Sequence, residues 1–405
     1  MQILFIHQNF PAQFGQLALF LAEKGWDVHF ATAKKVENKG STSKITIHEF
    51  SKSRDVSKNT HHYLHRSESA ILNAQAFARL ATGLKTKGIN PNVIVAHSGW
   101  GSGSLSKSVW PECKFVQYLE WWYNYPYWDR LETDPPPFDL EQKAKTLFNN
   151  LPFYTDWIEA DITLLPTMYQ ASALPKKLRQ SVVVHHDGID TEFFRPRSTK
   201  NAIKEQYGIP KDAKLLTYAT RGMEPHLGFP QFMEAWQNIS RRDPSLHCII
   251  AGSDTVHYGP KNDKQQSYKE IALSTLEIDP KRTHFVGRLP FSKYRDLLCA
   301  SDCHVYLTLP FVLSWSLLEA MSCAAPIVSN SNAAVEEVLE NKVSANLVNL
   351  QKIDDLTDKI EEMLKNKEKA IVLGNNAREK ILNKYCSKII FPQKEMLFRG
   401  LFNVD

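Results

Sequence analysis

The stretch Ser301–Asn330, SDCHVYLTLPFVLSWSLLEAMSCAAPIVSN, carries most of the information about the fold of this 405-residue chain. It runs from an apolar strand through a loop that contains Pro310 and into a short helix that begins near Ser314. A second apolar strand, Pro326–Val328, follows this helix. The order strand, helix, strand predicts a parallel sheet covered by helices.

The start of this helix is a candidate anion site. Backbone N–H groups in the first turn of a helix lack partners within the helix, and the helix dipole adds partial positive charge there. Such a turn favours a phosphate group, and the residues that we expect to form it are Ser314, Trp315, Ser316 and Leu317. Glu319, on the same helix, is placed to accept hydrogen bonds from ribose hydroxyls. A capping box between Ser316 and Glu319 would explain the spacing without any ligand.

Short apolar runs alternate with segments of helical period along the whole chain, which favours parallel sheets over a sandwich or a bundle. The predicted strands are Ile3–Ile6, Val28–Ala31, Val93–Ala96, Phe115–Tyr118, Ile162–Leu165, Val182–His185, Leu215–Tyr218, Cys248–Ala251, Thr283–Val286, Cys303–Leu307 and Pro326–Val328. The predicted helices include Phe14–Lys24, Ser67–Thr86, Gly228–Ser240, Ser292–Ala300, Leu356–Lys367 and Asn375–Lys384.

The length of the chain fits two domains of about 200 residues each. We place the first domain at residues 1–187, the second at 188–385 and a C-terminal helix at 386–405. The segment Asp190–Lys211, with Pro196, Pro210 and many charges, is predicted to be the linker.

The composition is that of a soluble globular protein, with 43% hydrophobic and 23% charged residues and a net charge of +5. No motif for binding nucleic acid accompanies the mild positive charge, so we predict no nucleic-acid partner. The charge leaves open a peripheral association with the inner face of a membrane, although no apolar run is long enough to span one.

The six cysteines lack CxxC spacing and mostly lie within apolar runs, which predicts buried thiols and a cytoplasmic location. No spacing of His, Cys, Asp or Glu indicates a metal site. Phosphate loops of the GxGxxG and GxxxxGK types are absent, which argues against dinucleotide and P-loop chemistry. We therefore predict no cofactor.

Several further segments complete a pattern with the opening stretch: MQILFIHQNF at 1–10, HHDGIDTEFFRP at 185–196, YATRGMEPHLGFPQF at 218–232 and VGRL at 286–289. In this order they resemble the retaining family 4 glycosyltransferases with the GT-B fold, over nearly the whole chain. The resemblance implies an α/β protein of two Rossmann-like domains whose parallel sheets face each other across a cleft. It also implies that the first domain binds the acceptor, the second binds the donor, and the C-terminal helix returns to the first.

By this resemblance, the chain would move a sugar from a nucleoside-diphosphate sugar to a hydroxyl of a glycan or lipid-linked acceptor, with retention of configuration. Arg221 takes the place of an arginine that clamps the diphosphate, and a guanidinium suits that task because it is always charged and can fork onto phosphate oxygens. An exposed loop arginine is the alternative. The other donor residues implied are Glu319, Gly222, Gly252, Arg288 and Leu289.

The chain departs from the family pattern at two places. Phe311 stands where a glutamate usually contacts the donor sugar, and Leu227 stands where a Lys or Arg usually precedes Gly228. His226 is the nearest substitute for the missing cation. These departures motivate a second hypothesis, a catalytically weak GT-B protein that acts as a carbohydrate-binding or partner subunit.

The first half contains the predicted acceptor site. Glu120 is predicted to orient the acceptor, and it lies in the aromatic-rich segment Tyr118–Arg130, YLEWWYNYPYWDR. Stacking of aromatic rings on sugar faces is one role for this segment, while buried packing and anchoring at a membrane interface are alternatives. The acceptor-binding residues that we predict are Asn9, Phe10, Gly15, His97, Trp121, Trp122 and Tyr123.

Overall fold

The computed structural model describes residues 1–36, 44–125, 138–258 and 266–402. The chain divides into two compact units. The first comprises the described residues up to Asp187 together with those from Lys388 onward, and the second is Gly188–Ser387. Tyr127 and Trp128 of the aromatic-rich segment lie outside the described residues.

The described part of the first unit contains a seven-stranded parallel sheet of order β3-β2-β1-β4-β5-β6-β7. Its strands are β1 (Gln2–His7), β2 (Asp27–Thr32), β3 (Ile45–Glu49), β4 (Val93–His97), β5 (Lys114–Tyr118), β6 (Ile162–Leu165) and β7 (Val182–Val184). The first helices in chain order are α1 (Gly15–Glu23), α2 (His65–Thr86), α3 (Ser106–Val109), α4 (Leu140–Asn149), α5 (Leu151–Glu159), α6 (Met168–Ser172) and α7 (Lys176–Arg179).

The second unit contains a six-stranded parallel sheet of order β10-β9-β8-β11-β12-β13 among its described residues. Its strands are β8 (Leu215–Gly222), β9 (His247–Ser253), β10 (Thr283–Gly287), β11 (Cys303–Tyr306), β12 (Ile327–Asn330) and β13 (Asn346–Val348). The remaining helices are α8 (Lys200–Gln206), α9 (Phe229–Arg242), α10 (Tyr268–Thr275), α11 (Phe291–Ala300), α12 (Trp315–Ser322), α13 (Ala333–Glu336), α14 (Ile353–Lys365), α15 (Lys367–Lys384) and α16 (Ser387–Gly400).

Helices cover both faces of the first sheet, which explains why its strands are nearly continuous apolar runs. Phe5 and Phe30 share one core cluster with Phe391 and Phe398 of α16, so the C-terminal helix packs within the first unit. Phe77 of α2 lies in the cluster on the other face.

The second sheet is covered in the same way. Trp236 of α9 is fully buried on one face, where Phe232 stacks on Tyr218 with ring centroids 4.4 Å apart. Ile203 of α8 and Leu297 of α11 pack on the opposite face.

The predicted strands are all confirmed, with small shifts at their ends. β3 and β13 were missed, because a short strand at the edge of a sheet buries few side chains and carries a weak apolar signal. The linker prediction is wrong over residues 200–206. These residues form α8, whose Ile203 is buried in the second core, so the segment belongs to the second unit.

Candidate functional site

Arg221 lies near the carboxyl end of β8, and its side chain is exposed. Its Nη1 donates a hydrogen bond to the Tyr258 hydroxyl at 3.1 Å, and the guanidinium carbon lies 5.6 Å from the centroid of the Tyr258 ring. Ser253 Oγ donates to the Arg221 carbonyl oxygen at 2.6 Å. A cation is thus held at the edge of the sheet where open α/β folds bind ligands.

The segment that follows β9 is fixed by Glu224, which is fully buried. The Glu224 carboxylate accepts hydrogen bonds from the backbone N–H groups of His257 at 3.0 Å and Tyr258 at 2.9 Å. A Cβ on Gly222 would lie 2.4 Å from the Thr255 carbonyl oxygen, so only glycine allows the end of β8 to lie this close to the segment after β9. Sequence reasoning missed Glu224, because a carboxylate that binds backbone of a distant segment leaves no local pattern.

Three aromatic rings from different segments meet beside Arg221. They belong to His226 after β8, Tyr258 after β9 and Phe311 after β11, and each pair of ring centroids is 5.5 Å apart. We call these three residues the aromatic cluster. Tyr258 is 44% exposed and Phe311 is half-buried, while His226 is buried behind them. The departure from the family pattern at Phe311 is therefore part of a packed arrangement.

The helix α12 begins as a candidate anion site would. Its N-cap is Ser314, whose Oγ accepts a hydrogen bond from the Ser316 backbone N–H at 3.2 Å and lies 2.7 Å from Ser316 Oγ. The alternative of a capping box between Ser316 and Glu319 is therefore wrong, because Ser316 is not the cap. Trp315 is half-buried, whereas the Leu317 side chain is in the interior and its backbone N–H donates to the Ser314 carbonyl oxygen at 3.2 Å.

Glu319 is only 7% exposed. Burial raises the pKa of its carboxyl group to about 7, opposed by a hydrogen bond from Tyr294 of α11. A ligand that supplied hydroxyl donors would stabilise the ionised form.

The remaining donor residues lie at the ends of β9 and β10. A Cβ on Gly252 would lie 2.4 Å from the Thr220 carbonyl oxygen, so Gly252 allows two adjacent chain segments to approach closely. Arg288 is exposed, and Leu289 packs against the core cluster that contains Leu297.

The carboxyl edge of the first sheet brings together polar residues. His97 Nε2 lies 3.3 Å from Glu120 Oε2, and Gln13 Nε2 donates to Glu120 Oε1 at 2.9 Å. The His7 ring lies edge-on to the His97 ring with centroids 4.7 Å apart. Burial, followed by the charge of His97, lowers the pKa of His7 to about 3, so His7 is neutral at pH 7.

The three residues predicted to bind acceptor after β1 lie in different surroundings. Asn9 is exposed, and its backbone N–H donates to His7 Nδ1 at 2.8 Å. Phe10 turns into the core, where its ring meets Phe30 edge-on at 4.9 Å. Gly15 is buried at the start of α1, against Pro11.

The aromatic-rich segment mostly packs inside the first unit. Trp122 is 3% exposed in a cluster with Phe153, and Tyr123 stacks on Phe153 and lies under the Arg66 guanidinium. Trp121 is half-buried, near Tyr169. The alternative of buried packing therefore describes Trp122 and Tyr123, and we leave both out of the acceptor site proposed below.

A buried ion pair that sequence reasoning missed ties α16 to this edge. Lys394 Nζ lies 3.0 Å from Asp187 Oδ1, and the Tyr118 hydroxyl donates to Asp187 Oδ2 at 2.6 Å. All three residues are buried. The neighbours of Lys394 along α16, which include Glu395, give no sign that it pairs with a carboxylate far away in the chain.

Two other features are absent from the residues that the structure describes. None of their helices has the length and apolar character needed to cross a membrane. No cluster of three His, Cys, Asp or Glu side chains among them could hold a metal ion. A cavity of about 410 Å³ beside β12 and β13 is lined by Ser331, Glu336, Asn341, Leu347, Val348 and Asn349, none of them a predicted site residue.

Two families of known proteins match different parts of the chain. The glycosyl transferase family 4 group matches residues 24–194, and glycosyl transferases group 1 match residues 199–380. The phosphatidylinositol N-acetylglucosaminyltransferase GPI3 subunit of Saccharomyces cerevisiae is 25% identical over 159 residues, which are 39% of this chain and 32% of that protein. The match thus spans about a third of the length of this relative.

Solved structures are similar over the whole chain. Sucrose-phosphate synthase from Thermosynechococcus elongatus has a TM-score of 0.73 at 16% identity and covers 100% of both chains. Anabaena Alr3699/HepE, solved with UDP and glucose, has a TM-score of 0.71 at 16% identity and covers 99% of this chain and 100% of its own. The two family matches between them take in most of the chain, which therefore belongs to the family 4 glycosyltransferases and has the GT-B fold.

Proposed function

We propose that this protein is a retaining glycosyltransferase that moves a sugar from a nucleoside-diphosphate sugar to a hydroxyl of a glycan or lipid-linked acceptor. The observation that carries the proposal is that the exposed Arg221 guanidinium lies near the carboxyl end of β8, while α12 begins in the segment that follows the adjacent strand β11. Both groups favour an anion, and both act on charge that develops when a diphosphate leaves.

In the proposed donor site, Glu319 accepts hydrogen bonds from the ribose, and Arg221 binds the diphosphate. Backbone groups around Arg288 and Leu289 face the base, with Gly222 and Gly252 allowing close approach. The UDP bound to the solved HepE protein supports uracil as the first base to test. No protein cofactor is required by this proposal, because the donor brings its own leaving group.

In the proposed acceptor site, Glu120 orients the acceptor hydroxyl together with His97, with Asn9 and Trp121 as neighbouring contacts. The name of the GPI3 relative, a phosphatidylinositol N-acetylglucosaminyltransferase, supports a lipid-linked acceptor as one class. A cytoplasmic enzyme that meets such an acceptor would associate peripherally with the inner face of a membrane.

Release of nucleoside diphosphate from a panel of sugar nucleotides tests the proposal. The purified chain is expected to hydrolyse at least one donor slowly without acceptor, and Arg221→Ala is expected to lower that release about 100-fold. Binding of no UDP, GDP or ADP compound in calorimetry would refute the enzyme proposal. Once an acceptor is found, the anomeric configuration of the product, read by NMR, tests retention.

A second candidate function is a catalytically weak subunit that binds carbohydrate or a partner. Phe311 favours it, since the usual carboxylate of the family is replaced by a ring that packs against His226 and Tyr258. Nucleotide binding without hydrolysis or transfer of any donor in the panel is the outcome that this candidate predicts.

A further inference from the structure

We infer that the aromatic cluster selects a donor whose sugar carries a methyl group, as an acetamido sugar or a 6-deoxy sugar does. This inference rests on the proposed function, which assigns the nucleoside to Glu319 and the diphosphate to Arg221. The part of the donor that remains for the rings beside Arg221 is the sugar.

The cluster is firmly positioned. The backbone N–H of Tyr258 and that of the preceding His257 each donate to the buried Glu224 carboxylate, and the Tyr258 hydroxyl accepts a hydrogen bond from Arg221. Phe311 rests on His226, whose carbonyl oxygen accepts a hydrogen bond from the Leu309 backbone N–H at 2.8 Å. The rings of Tyr258 and Phe311 are thus a preformed wall with little freedom to lose on binding.

The wall and its surroundings favour apolar contact. The loop that carries Phe311 continues with Val312 and Leu313 and begins with Pro310, so its side chains offer no hydrogen-bonding group. A sugar hydroxyl pressed against these side chains would lose its water without gaining a partner, at a cost in free energy. A methyl group placed there gains contact with the rings instead.

The two accessible rings of the aromatic cluster, Tyr258 and Phe311, also lie close to the proposed diphosphate site. Tyr258 is 44% exposed and bonded to the cation that the proposed function gives to the diphosphate. The group attached to that diphosphate must therefore pass close to Tyr258 and its neighbour Phe311, whose ring centroids lie 5.5 Å apart. This placement makes the two rings specificity-determining residues.

Calorimetry with matched donor pairs tests the inference. UDP-N-acetylglucosamine is compared with UDP-glucose, and GDP-rhamnose with GDP-mannose, so that within each pair the base is constant. We expect the methyl-bearing donor of at least one pair to bind about fivefold more tightly than its hydroxylated counterpart. Equal or tighter binding of the hydroxylated donor in both pairs would overturn the inference.

Substitutions of Phe311 and Tyr258 distinguish the contribution of the sugar to donor affinity from that of the nucleotide. Phe311→Ala is expected to remove the preference within the pair while leaving the affinity for UDP or GDP alone unchanged within about twofold. Phe311→Glu is expected to reverse the preference toward the hydroxylated sugar, because a carboxylate accepts hydrogen bonds from hydroxyls. Tyr258→Phe, which keeps the ring, serves as the matched control and is expected to retain the preference.

The outcomes distinguish the inference from the function beneath it. Phe311→Ala could weaken the binding of UDP or GDP alone as much as that of the sugar nucleotide. That result would mean that the rings bind the nucleoside, and it would refute the inference without refuting the proposed function. If the unsubstituted protein binds no nucleotide at all, the proposed function fails and the inference falls with it. A thermal melt of each variant shows whether lost binding reflects lost folding.

Discussion

The carboxyl edges of the two sheets share one architecture and differ in chemistry. At the first edge, Glu120 and Asp187 both have partners within their own unit, namely Gln13, His97, Tyr118 and Lys394. At the second edge, Arg221 is exposed and bonded to a neutral phenol, and within the described residues its side chain makes no ion pair. The carboxylates of the first edge thus have hydrogen-bond partners within their own unit, whereas the second edge retains a cation able to bind an anion.

The same comparison holds for buried carboxylates. Burial alone raises the pKa of Asp187, but the charge of Lys394, the charge of His186 and the bond from Tyr118 lower it overall. No cation of this kind pairs with Glu319 among the residues that the structure describes, and its pKa is raised to about 7. A parallel sheet with covering helices thus fixes where the edge lies, and the residues near the end of each strand decide which charged groups there have a charged partner within the unit.

The largest expected effect is the loss of stability when the buried ion pair of the first edge is broken. Asp187→Ala leaves the Lys394 ammonium buried and unpaired, so we expect the free energy of unfolding to fall by about 3 to 5 kcal/mol in urea denaturation. The double variant with Lys394→Met is expected to recover much of that loss. Because the pKa of Asp187 is lowered by folding, its contribution is present at neutral pH and is lost as the solution is acidified.

The exposed ion pair of Arg242 and Asp358 offers a control for this prediction. Asp358→Ala is expected to change stability little, since exposed pairs are screened by solvent. If both aspartate variants lowered the free energy of unfolding equally, the buried pair would stabilise the fold no more than an exposed pair does.

The next effect concerns the cation of the second edge. Arg221→Ala is expected to lower kcat/KM for donor hydrolysis about 100-fold, because the leaving diphosphate loses its counter-charge. Arg221→Lys keeps the charge but not the two-pronged geometry, so an intermediate loss is expected. Unchanged kinetics in Arg221→Ala would move the diphosphate away from this edge.

Glu319 gives a pH-dependent contrast with Asp187. Its folded pKa of about 7 exceeds the usual 4.5, so its stabilising contribution is complete at low pH and is lost as the pH rises toward 7. Glu319→Gln is therefore expected to be more stable relative to the unsubstituted protein at pH 8 than at pH 5, by about 2 kcal/mol. Thermal melts without ligand at both pH values measure this, with the exposed Glu205→Gln as control.

The smallest effect tests the proposed acceptor role of the first edge. Glu120→Gln removes a charged acceptor from the hydrogen bonds of His97 and Gln13, and we expect the KM for acceptor to rise about tenfold with a smaller change in kcat. The exposed Glu112→Gln provides the control in steady-state assays. A fall in kcat at constant acceptor KM would instead point to a role in the chemical step.

Local signals predicted much of this protein. The alternation of strands and helices, the positions of the eleven predicted strands and the helix after Ser314 all follow from apolar period and capping chemistry, which depend on neighbouring residues. The edge strands Ile45–Glu49 and Asn346–Val348 were not predicted, because half-buried strands of this length resemble loops in composition. The predicted linker failed because Ile203 is buried by a helix nearly a hundred residues away in sequence.

The sequence by itself determined that two parallel sheets form and that Arg221 and Glu319 follow strands of the second. Only the tertiary structure decided which side chains meet: Glu224 with the backbone of Tyr258, Phe311 with His226, and Lys394 with Asp187. The reason is physical. Secondary structure follows the periodicity of nearby residues, about 3.6 in a helix and about two in a strand, whereas buried charges and rings find partners through packing that no local pattern encodes.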